Sequence, residues 1–257
     1  MNAPAENRDS RSLPKPSAIE SFAKIIGLDR THSQERYFNV LYAQIRTGAR
    51  WLDIGCGRQL MPYWAASLAQ QREVVNRAKL FLGIDADPAV TENPLAARVT
   101  AVGERLPFRD NSLDVITANM VFEHLPKPLE VLADIRRALV PGGKLIIHTP
   151  NFRYPYIFLA SLLPDSIKGR LIWLLERRED KDVFKTFYQA NTTSRIRKLA
   201  NAARFDVEEV TVGGSVGQFG LLVPIGLVEL LWLKLLSLKF LREYNATIIA
   251  ILVKPAA

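Results

Sequence analysis

Cysteine and histidine are scarce in this chain of 257 residues, which contains one cysteine and three histidines. The single cysteine, Cys56, cannot form an intramolecular disulfide, and such low cysteine usage is typical of a reducing compartment. The histidines are widely separated from one another and from Cys56, so the spacing of a metal-ligand cluster is lacking. The sequence therefore predicts a protein with neither a disulfide nor a bound metal ion.

The first 17 residues contain no apolar run of signal-peptide length. Because this stretch is polar, charged and contains proline, we predict that residues 1–17 form a flexible tail and that 18–257 form a single domain. With the cysteine count, this predicts a cytoplasmic protein, with a peripheral position on the inner face of a membrane as the alternative. The formal net charge of +8 indicates an anionic partner, which could be nucleic acid, a membrane surface or a phosphorylated substrate.

Short apolar runs alternate with helical patterns along the chain. Runs that are apolar on both faces are typical of a parallel sheet covered by helices on both sides. We predict an α/β, Rossmann-like domain whose seven-stranded sheet is mostly parallel, with helical insertions after strand five and between strands six and seven. The predicted strands are 49–54, 80–84, 99–102, 113–119, 144–149, 205–212 and 246–253, and the clearest predicted helices are 19–28, 33–46 and 127–139.

A glycine-containing loop follows the first predicted strand. Gly55 and Gly57 permit a tight turn and a close approach of a ligand to the main chain, at the strand end where open α/β sheets bind ligands. Asp53 can accept a charge-assisted hydrogen bond from a cationic amine or a bound water. Alone, the loop also fits a purely structural turn. A dinucleotide site is disfavoured because Leu60 stands where the third glycine of Gly-x-Gly-x-x-Gly is required.

Two further loops carry polar residues at the ends of predicted strands. Asp85 ends the second strand, where a carboxylate can accept hydrogen bonds from both hydroxyls of a ribose; the alternative is a helix N-cap. The loop 103–108 follows the third strand and offers main-chain amides and Glu104 to the edge of an adenine. Leu106 and Phe108 can cover the face of the base or belong to the core.

Four motifs in this order resemble those of the class I S-adenosylmethionine-dependent methyltransferases, particularly the ubiquinone/menaquinone-type branch. They are WLDIGCG, GID, GERLPFRDNSLDVITANMVFEHL and LVPGGKLIIHTPN, and the resemblance covers about residues 35–151. It implies S-adenosylmethionine as the cofactor, and a sheet closed by a sixth, parallel strand and a seventh, antiparallel strand. The implied contacts are Asp53, Gly55 and Gly57 with the methionine end, Asp85 with the ribose, Glu104 and Arg105 beside the adenine, and Asn119 beside the methyl donor, with Cys56 and Ala86 completing the cofactor-binding set.

The chain departs from the family pattern at three places. Gln59 stands where many members have a third glycine, and Val102 stands where many have an acidic residue. The interval from Gly57 to Asp85 is long and leaves room for an extra turn or loop around residues 70–77. These departures affect individual contacts and leave the predicted cofactor site in place.

The sequence does not identify a catalytic base, which a methyltransferase needs only if its acceptor must lose a proton. His124, just beyond strand four, is the candidate, and its alternative role is a hydrogen bond to nearby backbone. We interpret His148, inside strand five, as structural. We interpret Cys56 as a small loop residue, because no base accompanies it.

The two predicted insertions, about residues 151–189 and 213–245, leave the sheet at the cofactor edge. Residues 219–241 are strongly apolar, but Pro224 and three charged residues interrupt them, so we predict a buried lid helix or a segment entering one leaflet rather than a membrane span. Residues 151–204 mix aromatic and aliphatic residues with basic ones, which suits an anionic membrane surface; the alternative is a helical cap packed onto the domain with a solvated basic face. We therefore predict a small-molecule or lipid-like methyl acceptor, with RNA less favoured and a non-catalytic binding protein as a further alternative.

Overall fold

The computed structural model describes residues 18–87, 91–100, 106–162, 185–214 and 223–256. Glu104, Arg105 and the predicted tail lie outside the described residues. The elements, in chain order, are α1 (Ala18–Ile25), α2 (Ser33–Gln44), β1 (Arg50–Ile54), α3 (Leu68–Val75), β2 (Leu80–Asp85), β3 (Ala97–Thr100), β4 (Leu113–Asn119), a 3-10 turn (Phe122–His124), α4 (Pro128–Ala138), β5 (Leu139–Pro150), α5 (Pro155–Ser161), α6 (Thr193–Ala202), β6 (Asp206–Gly213), α7 (Val223–Leu236), a second 3-10 turn (Arg242–Tyr244) and β7 (Thr247–Val253).

Seven strands form one sheet in the order β3-β2-β1-β4-β5-β7-β6. The pairs among β1 to β5 are parallel, whereas β7 is antiparallel to both β5 and β6. Six strands therefore run in one direction and only β7 runs against them, so the predicted fold class is confirmed. The carboxyl ends of β1, β2, β4 and β5 consequently meet at one edge of the sheet.

Apolar side chains cover the sheet on both faces. On one face, α4 and α6 pack through residues such as Leu132 and Ile196 against the strands. On the other face, α2 and α3 pack through residues such as Tyr37 and Val74, and Trp51 of β1 lies in the same cluster. This double coverage explains why the strands read as continuous apolar runs.

Several boundaries differ from the prediction. The third strand is β3, Ala97–Thr100, rather than 99–102, and residues 101 and 102 lie outside the described residues. β5 begins at Leu139 rather than at residue 144. Leu139, the predicted last residue of a helix, instead pairs with Leu113 of β4, and the register between the two strands shifts just after this pair. Residues 70–77 do not form an extra loop, since most of them belong to α3, whose N-terminus has a capping box between Ser67 and Gln70.

The two insertions contain α5 and α7 and are tied to each other by buried amides. The Asn151 side chain donates hydrogen bonds to the carbonyls of Glu243 (2.8 Å) and Asn245 (2.7 Å). The Asn245 side chain in turn donates to the carbonyls of Leu236 (2.9 Å) and Arg242 (3.0 Å). Since both asparagines are buried, these bonds fix the end of the second insertion to the start of the first. Among the described helices, none is long and apolar enough to cross a membrane.

Candidate functional site

The loop after β1 needs glycine at two positions, for different reasons. Gly55 has a φ of +69°, and a Cβ at this residue would lie 2.4 Å from Cγ2 of Val121. Gly57 has a φ of +45°, and a Cβ there would meet nothing within 4 Å. The space beside Gly57 is therefore open to a ligand, while Gly55 permits the close contact with the segment after β4.

Asp85 holds the glycine loop from the end of β2. One carboxylate oxygen accepts a hydrogen bond from the Gly57 amide (2.8 Å), and the other accepts one from the Asp87 amide (2.9 Å). The buried side chain of Asn93 donates to the carbonyls of both Cys56 and Gly57 at 3.3 Å. Sequence reasoning missed Asn93. Its partners Cys56 and Gly57 lie 37 and 36 positions earlier in the chain, and a lone asparagine in a loop gives no signal of such distant contacts.

Asp53 lies beneath this loop, fully enclosed. Its carboxylate accepts a hydrogen bond from the Thr117 hydroxyl (2.5 Å), and the Trp51 indole donates to the same hydroxyl oxygen (2.8 Å). Burial raises the pKa of Asp53 to about 7, and the nearby charge of Asp85 acts in the same direction. A cationic group bound above the loop would therefore favour the ionised form of this carboxyl.

Cys56 is buried between the loop and β2. A Cβ placed on Gly83 would come within 2.4 Å of the Cys56 sulfur, so the glycine in β2 makes room for this side chain. Burial raises the pKa of the Cys56 thiol to about 12. A thiol that stays protonated is not a nucleophile, and the structure thus agrees with a packing role for the side chain.

Asn119 and His148 form a hydrogen-bonded pair at the carboxyl ends of β4 and β5. Oδ1 of Asn119 lies 2.8 Å from Nδ1 of His148, and Nδ2 of Asn119 donates to Oε1 of Gln34 (2.9 Å), at the start of α2. The His148 ring is fully buried and stacks on the ring of Tyr37, with 5.0 Å between centroids. Sequence reasoning anticipated Asn119 in the site but not its partners, since Gln34 is 85 residues away.

His124 and Glu123 lie on the 3-10 turn after β4. Nδ1 of His124 is 3.0 Å from the carbonyl oxygen of Lys185, so its backbone partner comes from a distant segment. Glu123 is buried, accepts a hydrogen bond from the Thr149 hydroxyl (3.0 Å), and has its pKa raised by that burial. His124 stays the candidate base named from the sequence.

The predicted cofactor residues meet at one edge of the sheet wherever they are described. The first loop contributes four of them, which lie within residues 53–57: Asp53, Gly55, Cys56 and Gly57. Asp85 accepts a hydrogen bond from this loop, and the next residue, Ala86, is exposed. These features fit a nucleoside with a charged amino-acid tail, because the open space over Gly57 adjoins the Asp85 carboxylate, which can accept hydrogen bonds from hydroxyl groups. The individual cofactor contacts stay predictions.

The comparisons with known proteins agree with this geometry. A family model described as a methyltransferase domain matches residues 29–209. Ubiquinone biosynthesis O-methyltransferase of Xanthomonas oryzae pv. oryzae is 32% identical over 132 residues, which are 49% of this chain and 52% of that protein. The enzyme of the same name from Xanthomonas campestris pv. campestris is 29% identical over 126 residues, with the same coverage of 49% and 52%. The chain thus spans about half the length of the curated relatives it matches.

Solved structures share the fold at low sequence identity. An S-adenosylmethionine-dependent methyltransferase from Mesorhizobium loti has a TM-score of 0.52 at 14% identity, covering 86% of this chain and 97% of that one. The [4+2]-cyclase SpnF has a TM-score of 0.52 at 15% identity, covering 87% and 81%. Because a cyclase shares the architecture, the fold alone does not name a reaction, and the family model together with the loop geometry carries the assignment. The chain belongs to the class I S-adenosylmethionine-dependent methyltransferases.

Proposed function

We propose that the protein transfers a methyl group from S-adenosylmethionine to a hydrophobic small molecule that is drawn from an anionic membrane surface. The bound donor supplies an electrophilic methyl carbon, while the protein aligns the nucleophile and excludes water. The glycine loop and Asp85 would hold the donor, and Asn119 would lie beside its methyl group. The observation that carries the choice of acceptor is the apolar surface of the two insertions.

This surface consists of large apolar side chains that α5, α7 and the residues after α7 expose. Near α5, the most exposed are Leu159, with 61% of its surface exposed, and Leu162 at the C-cap of the helix, with 66%. On and after α7, they are Val228 (68%) and Phe240 (75%). Where the two insertions meet, Tyr154 at the N-cap of α5, Leu236 of α7 and Ala246 before β7 form a buried cluster. An exposed apolar surface of this kind is typical of contact with a membrane or a hydrophobic ligand.

Basic residues border the same surface. A groove of about 610 Å³ is lined by the cations Arg153, Arg195 and Lys198 together with aromatic residues, among them Phe158. A cationic groove beside exposed apolar side chains suits a ligand or a surface that combines negative charge with hydrocarbon. The curated relatives named for ubiquinone biosynthesis support an apolar small-molecule acceptor as well.

The acceptor class can be tested with methyl-labelled S-adenosylmethionine. Cell extract is incubated with the purified full-length protein and separated into lipid, RNA, protein and water-soluble fractions. We expect the label in the lipid fraction. Label in RNA would favour nucleic acid as the substrate and would contradict the proposal, and cofactor binding without transfer to any fraction would favour a binding protein.

Membrane contact is tested separately by co-sedimentation with vesicles. We expect binding to vesicles containing phosphatidylglycerol and weaker binding to pure phosphatidylcholine. The double variant Leu159→Ser/Leu162→Ser should reduce binding by about 25-fold or more, because each side chain contributes roughly 1 kcal/mol or more of apolar burial in the bilayer. Leu129→Ser is the matched control, since Leu129 is exposed on α4. Equal binding by both variants would refute a role for α5.

A further inference from the structure

We propose that Nε2 of His148 accepts the proton of the methyl acceptor, and that the acceptor is therefore an alcohol or a phenol. This inference rests on the proposed methyl transfer and names the chemical class of the acceptor. Its basis is a buried ring nitrogen whose protonation state is fixed by its neighbours and which lacks a partner in the described part of the chain.

The tautomer of His148 follows from the hydrogen bonds around Asn119. Nδ2 of Asn119 donates to Oε1 of Gln34 (2.9 Å) and lies 3.7 Å from the Met61 sulfur, a second acceptor. The carbonyl oxygen of Asn119 therefore faces Nδ1 of His148, 2.8 Å away, and only a protonated Nδ1 can donate to it. In a neutral ring, Nε2 then carries a lone pair and no proton.

That lone pair is buried without a hydrogen bond in the described structure. The ring itself is fully buried. An unpaired buried acceptor costs about 1–3 kcal/mol of folding free energy, so a partner that is bound during function accounts for its retention. Tyr37 stacks on the ring. Burial lowers the pKa of His148, and His32, at the N-cap of α2, lowers it further when its own ring is protonated.

The ring also lies at the edge where the donor would bind. The register pairs Asp53 of β1 with Thr117 of β4, and Asn119 lies two residues further along β4, on the same face. Asn119 pairs with His148 of β5. The imidazole thus shares its sheet face and its edge with the aspartate that precedes the glycine loop.

The proton balance favours a hydroxyl acceptor. As the oxygen–carbon bond to the methyl group forms, the carbon–sulfur bond breaks and the sulfur keeps the electron pair. The attacked oxygen becomes strongly acidic during this step, so its proton moves to Nε2 even though burial lowers the pKa of the His148 ring to about 3. One positive charge is present before and after, because the imidazolium charge appears as the sulfonium charge is lost. An amine can attack through a free lone pair, whereas a hydroxyl in an apolar site gains nucleophilicity from a hydrogen-bond acceptor.

The variant His148→Asn tests the roles of the two ring nitrogens separately. The asparagine amide can still donate to Asn119 from near the position of Nδ1, but it offers nothing in place of Nε2. We expect kcat to fall about 100-fold or more, the usual effect of removing a general base, with the Kd for S-adenosylmethionine within about threefold of the wild type. His124→Asn tests the base named from the sequence. A larger fall in kcat for this variant than for His148→Asn would assign the proton to His124 and would overturn the role of His148.

The free protein offers a readout that does not depend on turnover. With only three histidines, ¹⁵N-histidine spectra of the wild type can be assigned from His32→Gln and His124→Gln variants. We expect His148 to show a protonated Nδ1 and an unprotonated Nε2, unchanged from pH 8 to pH 5, because burial lowers its pKa to about 3. This measurement stands even if His148→Asn does not fold.

The outcomes distinguish this inference from the proposed function. If the wild-type protein transfers no methyl group to any fraction, the proposed function fails. If transfer occurs but the product carries the methyl group on carbon or nitrogen, the hydroxyl assignment is wrong. A proton on Nε2 in the spectrum, or an unchanged kcat in folded His148→Asn, would overturn the role of His148.

Discussion

Replacing Asp85 by alanine should weaken the binding of S-adenosylmethionine by about 100-fold to 10,000-fold. An ionised carboxylate offers about four acceptor positions, and in the structure two are used by the amides of Gly57 and Asp87. Two positions are left for two ribose hydroxyls, each worth about 1.5–3 kcal/mol as a bond to a charged group. The sum of about 3–6 kcal/mol corresponds to this range, because 1.4 kcal/mol changes an equilibrium constant tenfold.

The assay is titration calorimetry with S-adenosylhomocysteine, the product, so that turnover does not interfere. Asp114→Ala is the matched control, because Asp114 lies at the start of β4, at the sheet edge opposite the predicted cofactor site. Its carboxylate forms a bidentate ion pair with the Arg50 guanidinium, with N–O distances of 2.8 and 2.9 Å. The pair is partly exposed, so its loss should lower the free energy of unfolding by about 1 kcal/mol and leave affinity unchanged. The reasoning is refuted if folded Asp85→Ala binds within threefold of the wild type, or if Asp114→Ala loses affinity to the same extent.

Two more predictions concern the loop. Asp53→Asn should raise the free energy of unfolding at pH 8, because burial raises the pKa of this carboxyl from 3.8 to about 7 and its ionised form therefore destabilises the fold. The gain in unfolding free energy should be a few kcal/mol at pH 8 and should shrink as the pH falls towards 4, where the native carboxyl is already protonated. Urea unfolding of both proteins at pH 8 and pH 4 measures this gain. An equal gain at the two pH values would contradict the prediction. Gly55→Ala should lower the melting temperature more than Gly57→Ala, since both sit at positive φ but only the first meets the Val121 methyl group. Equal melting temperatures would show that the contact with Val121 relaxes freely.

The central strands were predictable because they are buried on both faces and read as apolar runs. β4, Leu113–Asn119, matches its prediction at both ends, and β7 differs by one residue. The start of β5 was missed because Pro141, Gly142 and Gly143 usually end an element, and here they continue a strand by means of a positive φ at Gly142. Local sequence preferences predict a break at these residues, but pairing with β4 keeps them in the strand.

The site was predictable where its residues follow strands directly and unpredictable where they meet across the chain. Asp53, Asp85 and Asn119 are strand ends, so topology alone brings them to one edge. Gln34 and Asn93 reach that edge from a helix start and a loop, and no periodicity encodes such contacts. They depend on the packing of α2 and of the segment before β3 onto the finished sheet.

The paired amides of Asn151 and Asn245 have a consequence for how this domain can change over evolutionary time. Asn151 of the first insertion donates to two main-chain carbonyls of the second, those of Glu243 and Asn245. Replacing the first insertion alone would leave these carbonyls without their donor, and replacing the second alone would leave the buried Asn151 amide without its acceptors. The two insertions should therefore be inherited and exchanged as a unit. A graft of both together onto a shorter relative should carry substrate preference with it, whereas a graft of one should cost the recipient its stability.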